Sequence, residues 1–363
     1  MITPLPTLAD RIQTDPSQTQ PSQNNVDPAS LLTFCKATAE SQRLDILRVL
    51  SAESFGVLEL CHIFATPQSG MSHHLKVLAN AGLVATRREG NSIFYRRAII
   101  AADNPLSLIT NALYGTIDRI VLATEVSDRA VEIHAERAAR SQTFFSRNAE
   151  RLRQNQNLIA EFDQYASSVI DLLGNEQIPA SGRVLEVGPG ECELINTLAA
   201  QFAHITAIDN SAIMLDRAKS VVRQQYRHKV DFRHTDIEQA ASAAVWPEHY
   251  DLMVLNMVLH HMPSPASVFA SARQLLAPGA RLLVIDLCPH NQDWARDTCG
   301  DLWLGFEPTD LDGWANDTGL LRGQGIYLGL KNGFQIQVRL FHQPPGNHWT
   351  KLTTQNPTTS EAL

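Results

Sequence analysis

Long apolar runs are missing from this chain. No uninterrupted hydrophobic stretch among its 363 residues approaches the ~20 residues that a membrane-spanning helix needs. The first residues also lack the basic segment followed by a hydrophobic one that marks a secretory signal. We therefore expect a cytoplasmic protein that has no membrane partner.

Paired cysteines are missing as well. The five cysteines are odd in number, lie far apart in the sequence and form no Cys-x-x-Cys motif. This pattern predicts reduced thiols and excludes a disulfide framework. The cysteines are Cys35, Cys61, Cys192, Cys288 and Cys299.

Positive charge is scarce overall. The formal net charge is −8, which alone argues against a nucleic-acid partner. The distribution of charge argues the other way, because five basic residues face one acid, Glu89, between Gln68 and Ala98. A local basic patch in an acidic chain can attract DNA. The five basic residues are Lys76, Arg87, Arg88, Arg96 and Arg97.

Length and shifts in composition divide the chain into five predicted segments. Residues 1–27, rich in Pro, Gln and Ser, predict a disordered arm, and residues 344–363 predict a flexible tail. Between them we expect a compact winged-helix domain over 28–98, a helical connector and dimerisation region over 99–178, and a ligand-binding domain over 179–343.

The compact N-terminal segment predicts helices followed by a basic hairpin. Ser41 is a candidate N-cap for the second helix, and Thr66 is one for the fourth. The fourth helix stops before Gly82, which suits a helix C-terminus. Two strands then flank the turn Glu89–Ser92. Helix-turn-helix plus basic hairpin is the pattern of a winged helix.

The fourth helix has two different faces. Met71, Leu75 and Leu78 recur at helical spacing and should face the core. The opposite polar face fits a solvated surface when taken alone, but beside a basic hairpin it fits the major groove of DNA. The predicted DNA contacts are Gln68, Ser69, Ser72, His73, Lys76, Arg87, Arg88 and Asn91.

The successive stretches RLDILRVL, ELCHIF, QSGMSHHLKVLANAGLV and TRREGNSIFYR resemble the ArsR-type winged-helix repressors of bacteria. The resemblance implies a homodimer that binds a palindromic operator in double-stranded DNA. Many ArsR-type proteins sense metals through a Cys-x-Cys pair on the third helix, where this chain has Cys61-His62-Ile63. Adjacent residues point about 100° apart on a helix, so we expect no metal.

The connector predicts further helices. Asn104–Val121 can form one helix suited to dimer packing, and Ser127–Phe145 reads as a largely exposed helix. Ser146–Leu173 should pack on the C-terminal domain as a helical cover. Its spacing leaves open whether Tyr165 contacts a ligand or only the core.

The stretch RVLEVGPGEC, Arg183–Cys192, predicts a buried strand, a tight glycine turn and a helix start. Glycines let the backbone pass close to a ligand. Asp209 ends the next strand 19 residues beyond Gly190, the spacing at which α/β nucleotide folds place an acid against ribose. A dehydrogenase would have G-x-G-x-x-G here, but this chain reads Gly188-Pro-Gly190-Glu-Cys192 and lacks the third glycine. Asp236 could accept from an exocyclic amine, and Ile237 could pack on a base.

Repeated strand–helix units predict a parallel sheet with ligand at the carboxyl ends of its strands. In order, LEVGPG, AIDNS, HTDIE, YDLMVLNMVLHHM and LLVIDL resemble the class I S-adenosylmethionine-dependent methyltransferases. The whole chain is then a multidomain α+β and α/β protein with a C-terminal Rossmann-like methyltransferase fold. The resemblance implies that the adenosyl ligand contacts Glu186, Gly188, Gly190, Asp209, Asn210, Asp236, Ile237, Asn256 and Met257.

No residue is assigned to catalysis. Methyl transfer needs mostly positioning, so the lack of a triad is uninformative. His260, His261, Asp286 and His290 are each a possible general base and each equally plausible in packing or capping. A methyltransferase that acts on arsenite would be expected to present several thiolates, and the cysteines of this chain are not obviously clustered.

The two-domain order resembles the proteobacterial S-adenosylhomocysteine-responsive (SahR-type) regulators of methionine-cycle genes. By that likeness the protein is a DNA-binding repressor whose methyltransferase-like domain senses S-adenosylhomocysteine or S-adenosylmethionine without catalysis. The alternative is an active small-molecule methyltransferase that carries a DNA-binding domain. The sequence leaves open which adenosyl compound acts.

Overall fold

The structure is a computed structural model that describes residues 26–51, 53–89, 92–101, 103–242 and 249–345. Residues 1–25 and 346–363, most of the predicted arm and tail, lie outside this range, as does Asn91. In the described part, no helix combines the length and apolar character needed to cross a membrane.

The N-terminal domain is a winged helix-turn-helix. Its elements are α1 (Pro28–Thr38), α2 (Ser41–Val49), β1 (Phe55–Gly56), α3 (Val57–Phe64), α4 (Gln68–Asn80), β2 (Val84–Glu89) and β3 (Ser92–Arg97). The three strands pair antiparallel in the order β1-β3-β2. Buried Ile46, Leu60 and Leu75 contribute to its core.

Two predicted helix caps are wrong, and one helix end is confirmed. Glu40, not Ser41, caps α2, because its carboxylate accepts from the backbone N–H groups of Gln42 and Arg43. Thr66 does not cap α4, since its hydroxyl donates to the carbonyl of Phe64. Gly82 ends α4 with a φ of +69°, the left-handed conformation that glycine accepts without strain.

Four helices connect the two domains. They are α5 (Ser107–Ile117), α6 (Thr124–Asn148), α7 (Leu152–Ile159) and α8 (Ala166–Gly174), with 3₁₀ turns at Ala149–Arg151 and Phe162–Gln164. Ile117 and Ile133, on α5 and α6, belong to the winged-helix core. Val169 and Leu172 of α8 pack on the C-terminal sheet, so the predicted helical cover is confirmed.

The C-terminal domain is a Rossmann-like sheet with helices on both faces. Its strands are β4 (Arg183–Val187), β5 (His204–Asp209), β6 (Val230–His234), β7 (Tyr250–Asn256), β8 (Leu276–Leu287), β9 (Leu321–Gly329) and β10 (Gln335–His342). Its helices are α9 (Leu194–Gln201), α10 (Ala212–Val221), α11 (Ile237–Ser242), α12 (Pro265–Leu275), α13 (Trp294–Thr298) and α14 (Pro308–Thr318), with 3₁₀ turns at Gln224–Lys229 and Leu259–His261.

The strand order is β6-β5-β4-β7-β8-β10-β9, with only β10 antiparallel to its neighbours. From β4 to β6 each new strand is added toward one edge of the sheet, and from β7 onward strands are added toward the other edge. Such a switch point, here between β4 and β7, opens a crevice at the carboxyl ends of the strands. The predicted fold class is confirmed.

Candidate ligand cleft and DNA-facing surface

A cleft lies at the carboxyl ends of β4, β5, β6 and β7. Gly188, which follows β4, has a φ of +63°, and a Cβ atom there would collide with a methyl carbon of Val258. Gly190 also has a positive φ, +53°. The turn can therefore hold its path only with glycine at Gly188, and this path brings bare backbone to the cleft wall.

One compartment of the cleft has a volume of about 100 Å³. Asp209 lies in it at the end of β5, and its carboxylate accepts from the N–H of Ser211 at 2.8 Å. Burial raises the pKa of Asp209 to about 6. The predicted residues that line this compartment are Gly188, Gly190, Asp209, Asn210, Asp236, Ile237 and Met257.

The second compartment, about 240 Å³, shares Gly188, Gly190 and Met257 with the first. Tyr165 lines it and is only 3% exposed, so this side chain belongs to the core and also reaches the cleft wall. Its hydroxyl donates to Asn256 Oδ1 at 3.2 Å, and Asn256 Nδ2 donates to Cys192 Sγ at 3.2 Å. These bonds fix the side chain of Asn256, one of the predicted contacts, at the cleft wall.

Glu186 differs from the other predicted ligand residues, because it lines neither compartment. Its side chain is fully buried, and its carboxyl oxygens have no hydrogen-bond partner among the described residues. Burial raises the pKa of Glu186 to about 8, so the carboxyl is mostly protonated at pH 7. The sequence shows only that an acid follows two apolar residues of a strand. It does not reveal that Tyr165 and Cys192 line the cleft while the Glu186 carboxyl interacts with both from behind them.

The four candidate general bases have different surroundings. Burial would lower the pKa of His260, but Asp286 and Asp301 raise it to about 9, and its Nδ1 lies 2.8 Å from Asp286 Oδ1. His260 is thus an imidazolium held in an ion-pair network. Burial and the neighbouring His260 charge hold the pKa of His261 well below its usual value. His261 is the neutral imidazole that borders both compartments.

The other two candidates serve the fold. Asp286 accepts from the N–H groups of Leu259 and His260, so its carboxylate closes the turn after β7. Burial lowers the pKa of His290 to about 4, and its ring packs on Phe334. His260, His261 and Asp301 offer possible metal-ligand atoms within 4.8 Å of one another.

The polar face of α4 is exposed as predicted, while Met71, Leu75 and Leu78 are buried. Its exposed candidates for DNA contact are Gln68, Ser69, Ser72, His73 and Lys76. On the hairpin, Arg88 is exposed too. A contiguous row of donors and acceptors therefore faces outward from the helix that a winged helix inserts into DNA.

Arg87 does not join that surface. Its guanidinium pairs with Asp310 of α14 at 3.4 Å and donates to the carbonyl oxygen of Gly305. Arg96, on the neighbouring strand, pairs with the same Asp310 carboxylate at 2.8 Å. The basic hairpin is thus partly docked on the C-terminal domain, which the local sequence pattern did not indicate.

Helix α6 connects the cleft to the winged helix. Its C-terminal half lines the smaller compartment with Ala138, Ser141 and Phe145. Its N-terminal half enters the winged-helix core through Ile133. Between them, the buried Arg137 pairs with Glu59 of α3 at 2.6 Å and donates to the carbonyl oxygen of Pro263 in the C-terminal domain. Arg137 was not singled out from the sequence, because nothing local marks an arginine that bridges two domains.

Two family models match separate parts of the chain. Residues 38–87 match a helix-turn-helix domain, and residues 152–319 match a methyltransferase domain. The chain joins a helix-turn-helix domain to a methyltransferase domain.

Among curated proteins, the methyltransferase domain is similar to ubiquinone biosynthesis O-methyltransferases. The one from Marinobacter nauticus is 36% identical over 114 residues, which are 30% of this chain and 46% of that protein. The one from Yersinia pestis is 26% identical over 159 residues, 40% of this chain and 64% of that protein. The chain therefore spans about half to two thirds of the length of these relatives.

Solved structures similar to this chain include two that contain S-adenosylhomocysteine. An N-methyltransferase from Bradyrhizobium japonicum is 19% identical, with a TM-score of 0.41 over 53% of this chain and 98% of that one. The magnesium protoporphyrin IX methyltransferase of Synechocystis is 17% identical, with a TM-score of 0.46 over 57% of this chain and 99% of that one.

Proposed function

We propose that this protein is a cytoplasmic DNA-binding transcriptional regulator, of the ArsR type, whose methyltransferase domain senses an adenosyl ligand of the methionine cycle. One observation carries the proposal: α6 lines the cleft and also forms part of the winged-helix core. A ligand that contacts Ser141 or Phe145 acts on the helix that positions α3. Ligand binding can change DNA affinity by its difference in affinity for the two conformations.

The ligand is S-adenosylhomocysteine or S-adenosylmethionine. The ionised carboxylate of Asp209 would accept from the ribose hydroxyls, and Asp236 and Ile237 would hold the adenine. Gly188 and Gly190 would border the amino-acid part. The bare turn at Gly188 and the buried acid at the end of β5 support this fit. Binding of the ligand would release a repressor from its operator.

The regulator acts as a homodimer in this proposal. Two helices of the N-terminal half carry exposed apolar side chains, Leu31 and Leu32 on α1 and Leu108 and Ile109 on α5. Leu108 is 86% exposed. A second copy of the chain that covers these side chains would place two α4 helices against the two halves of a palindrome.

The second candidate is an active small-molecule methyltransferase that carries a DNA-binding domain. The neutral imidazole of His261 at the junction of the two compartments favours it, since a neutral imidazole can accept a proton from an acceptor hydroxyl. The O-methyltransferase relatives favour it as well. We prefer the non-catalytic sensor because α6 ties the cleft to the winged helix.

One experiment separates the two candidates. A duplex is first selected from a random pool by the full-length protein, and its binding is then measured during separate titrations with S-adenosylhomocysteine and S-adenosylmethionine. Methyl transfer to a panel of small-molecule hydroxyl acceptors is measured in parallel. The sensor proposal predicts a ligand-dependent change in DNA affinity. Unchanged DNA affinity together with steady turnover would establish the enzyme instead.

A further inference from the structure

The two strands of the hairpin present one face to the methyltransferase domain. In the antiparallel pair, Arg87 lies opposite Phe94, and Ala85 lies opposite Arg96. Directly opposite residues project to the same side of a sheet, so Arg87, Phe94 and Arg96 share a face. The ring of Phe94 packs edge-on against Trp303 with centroids 5.3 Å apart.

The surface beneath that face is built to receive arginine. We call it the wing-docking surface and define it as Trp303, Gly305, Phe306 and Asp310. Asp310 pairs with both Arg87 and Arg96, and its side chain is 3% exposed. The Gly305 carbonyl accepts from Arg87, whose guanidinium carbon lies 5.5 Å from the centre of the Phe306 ring. Carboxylate, carbonyl and ring together satisfy charge and hydrogen bonding for a guanidinium.

DNA phosphate would compete for these same side chains. A guanidinium that pairs with a buried carboxylate has fewer donors left for a phosphate oxygen. The hairpin of a winged helix lies beside the DNA backbone when α4 enters the groove. Asp310 therefore uses the same guanidinium groups that a phosphate would need.

The wing-docking surface is also connected to the ligand cleft. The backbone N–H groups of Leu302 and Trp303 both donate to the carbonyl of His260, at 3.0 and 3.1 Å. His260 lines the larger compartment. Phe306 N–H donates to the carbonyl of Leu287 at the end of β8. A shift at the cleft floor would therefore move Trp303 and the loop that carries Gly305.

We propose that the wing-docking surface is an autoinhibitory contact: Asp310 holds Arg87 and Arg96 away from DNA, and release of the wing raises DNA affinity. This inference rests on the proposed DNA-binding function and names the contact through which the cleft regulates it. In the ligand-bound state the wing is docked, and in the operator-bound state the two arginines contact phosphates.

The charge is tested with Asp310→Asn. Asparagine can still accept the Glu307 N–H that Asp310 accepts at 3.2 Å, so the start of α14 is kept while the charge is lost. Asp297→Asn, on exposed α13, is the matched control for net charge. Binding to a random-sequence duplex is measured across a salt series. Every duplex supplies phosphates, so this readout does not depend on ligand sensing.

We expect Asp310→Asn to bind the random duplex about tenfold more tightly than wild type and Asp297→Asn. The slope of log affinity against log salt should steepen by about one to two, because each added phosphate contact contributes about 0.9. A second variant, Phe94→Ala, loosens the docked face without changing charge and should also bind more tightly. Thermal unfolding of both variants confirms that they are folded.

Equal affinity and equal salt slope for wild type, Asp310→Asn and Phe94→Ala would overturn the inference and leave the contact as plain domain packing. The selected duplex with S-adenosylhomocysteine tests the proposed function separately. If Asp310→Asn binds more tightly but wild type ignores the ligand, the autoinhibitory contact stands and the sensing proposal falls. If wild type responds to ligand and Asp310→Asn responds equally, the contact does not transmit the signal and the inference falls.

Discussion

At the scale of single residues, burial gives similar side chains different roles. Asp209 and Glu186 both follow apolar strand residues, yet Asp209 lines the cleft with a pKa of about 6, while Glu186 lies behind it with a pKa of about 8. At neutral pH only Asp209 is mostly ionised. It is therefore the better acceptor for two hydroxyl groups, whereas Glu186 lines neither compartment of the cleft.

Ligand affinity should depend on the ionisation of Asp209. Hydroxyl donors favour the carboxylate, so S-adenosylhomocysteine binding should weaken as pH falls through about 6, by up to about tenfold for each further pH unit. Calorimetric titration from pH 5 to 8 measures this dependence. Asp209→Asn should bind more weakly at pH 8, by about 1–3 kcal/mol, and should lose the pH dependence.

The control is Asp231→Asn, which removes an exposed carboxylate on β6 and should keep the wild-type pH profile of ligand binding.

The stability of the fold should depend on the ionisation of Asp209 in the direction opposite to ligand affinity. Because the folded pKa of Asp209 is raised above the ordinary value of 3.8, its contribution to the free energy of unfolding is largest at acid pH and declines as pH rises toward 6. If ligand binding to Asp209→Asn kept the pH dependence of wild type, the Asp209 carboxylate would not be the group that binds the ribose.

At the scale of elements, two helices matter most for the proposed function: α6, which reaches from the cleft to the winged-helix core, and α4, which we propose enters DNA. Helix α6 has 25 residues and spans about 37 Å, enough to reach from the cleft to the winged-helix core. Its sequence, rich in Ala, Arg and Glu, predicts a largely exposed helix. The structure leaves most of the helix exposed or half-buried, as predicted, and buries only Ile133 and Arg137. Periodicity gives the face of a helix, but not which of two domains will cover it.

Replacing Arg137 should uncouple the two domains. Arg137→Met removes the guanidinium, which lies over the rings of Phe55, Phe94 and Trp303 and pairs with Glu59, but it keeps a long apolar side chain at this place. We expect ligand binding and operator binding to remain, while the ligand-induced change in operator affinity falls at least about fivefold. Operator titrations with and without S-adenosylhomocysteine measure it. Arg140→Met, an exposed neighbour on α6, should respond as wild type; an unaltered response in Arg137→Met would remove α6 from the route.

Lys76 on α4 should supply a phosphate contact, because its side chain lies on the exposed face beyond Ser69 and Ser72, which we predict to contact bases. Lys76→Ala should weaken binding to selected and random duplexes alike and lower the salt slope by about one. Filter-binding or fluorescence anisotropy across a salt series measures both. Loss of sequence preference without a change in slope would place Lys76 on a base edge instead.

At the scale of the whole molecule, the folds of the two domains could be predicted from the sequence, but the contacts between the domains could not. Apolar periodicity and glycine turns indicated both folds, and strand ends indicated Asp209, Asp236 and Asn256, since these are local features. The contact of Arg87 with Asp310 joins residues 223 positions apart. No local pattern specifies such a contact. The five predicted domain limits and the DNA contacts remain predictions.

The proposed dimer makes a further prediction at this scale. Leu108→Glu places a charge on the exposed face of α5 and should convert a dimer to a monomer at micromolar concentration, because burying an unpaired carboxylate is costly. Sedimentation analysis gives the mass. Leu321→Glu, at an exposed position of β9 in the other domain, is the control. A wild-type mass for the Leu108→Glu protein would place the interface elsewhere.

The central claim is that the cleft controls DNA binding. The most direct measurement is operator affinity of wild type and Asp209→Ala during titration with S-adenosylhomocysteine. Wild type should lose operator affinity as S-adenosylhomocysteine fills the cleft. Without ligand, Asp209→Ala should bind the operator as tightly as wild type, and its operator affinity should not change during the titration. An operator affinity that S-adenosylhomocysteine and S-adenosylmethionine both leave unchanged in wild type would contradict it.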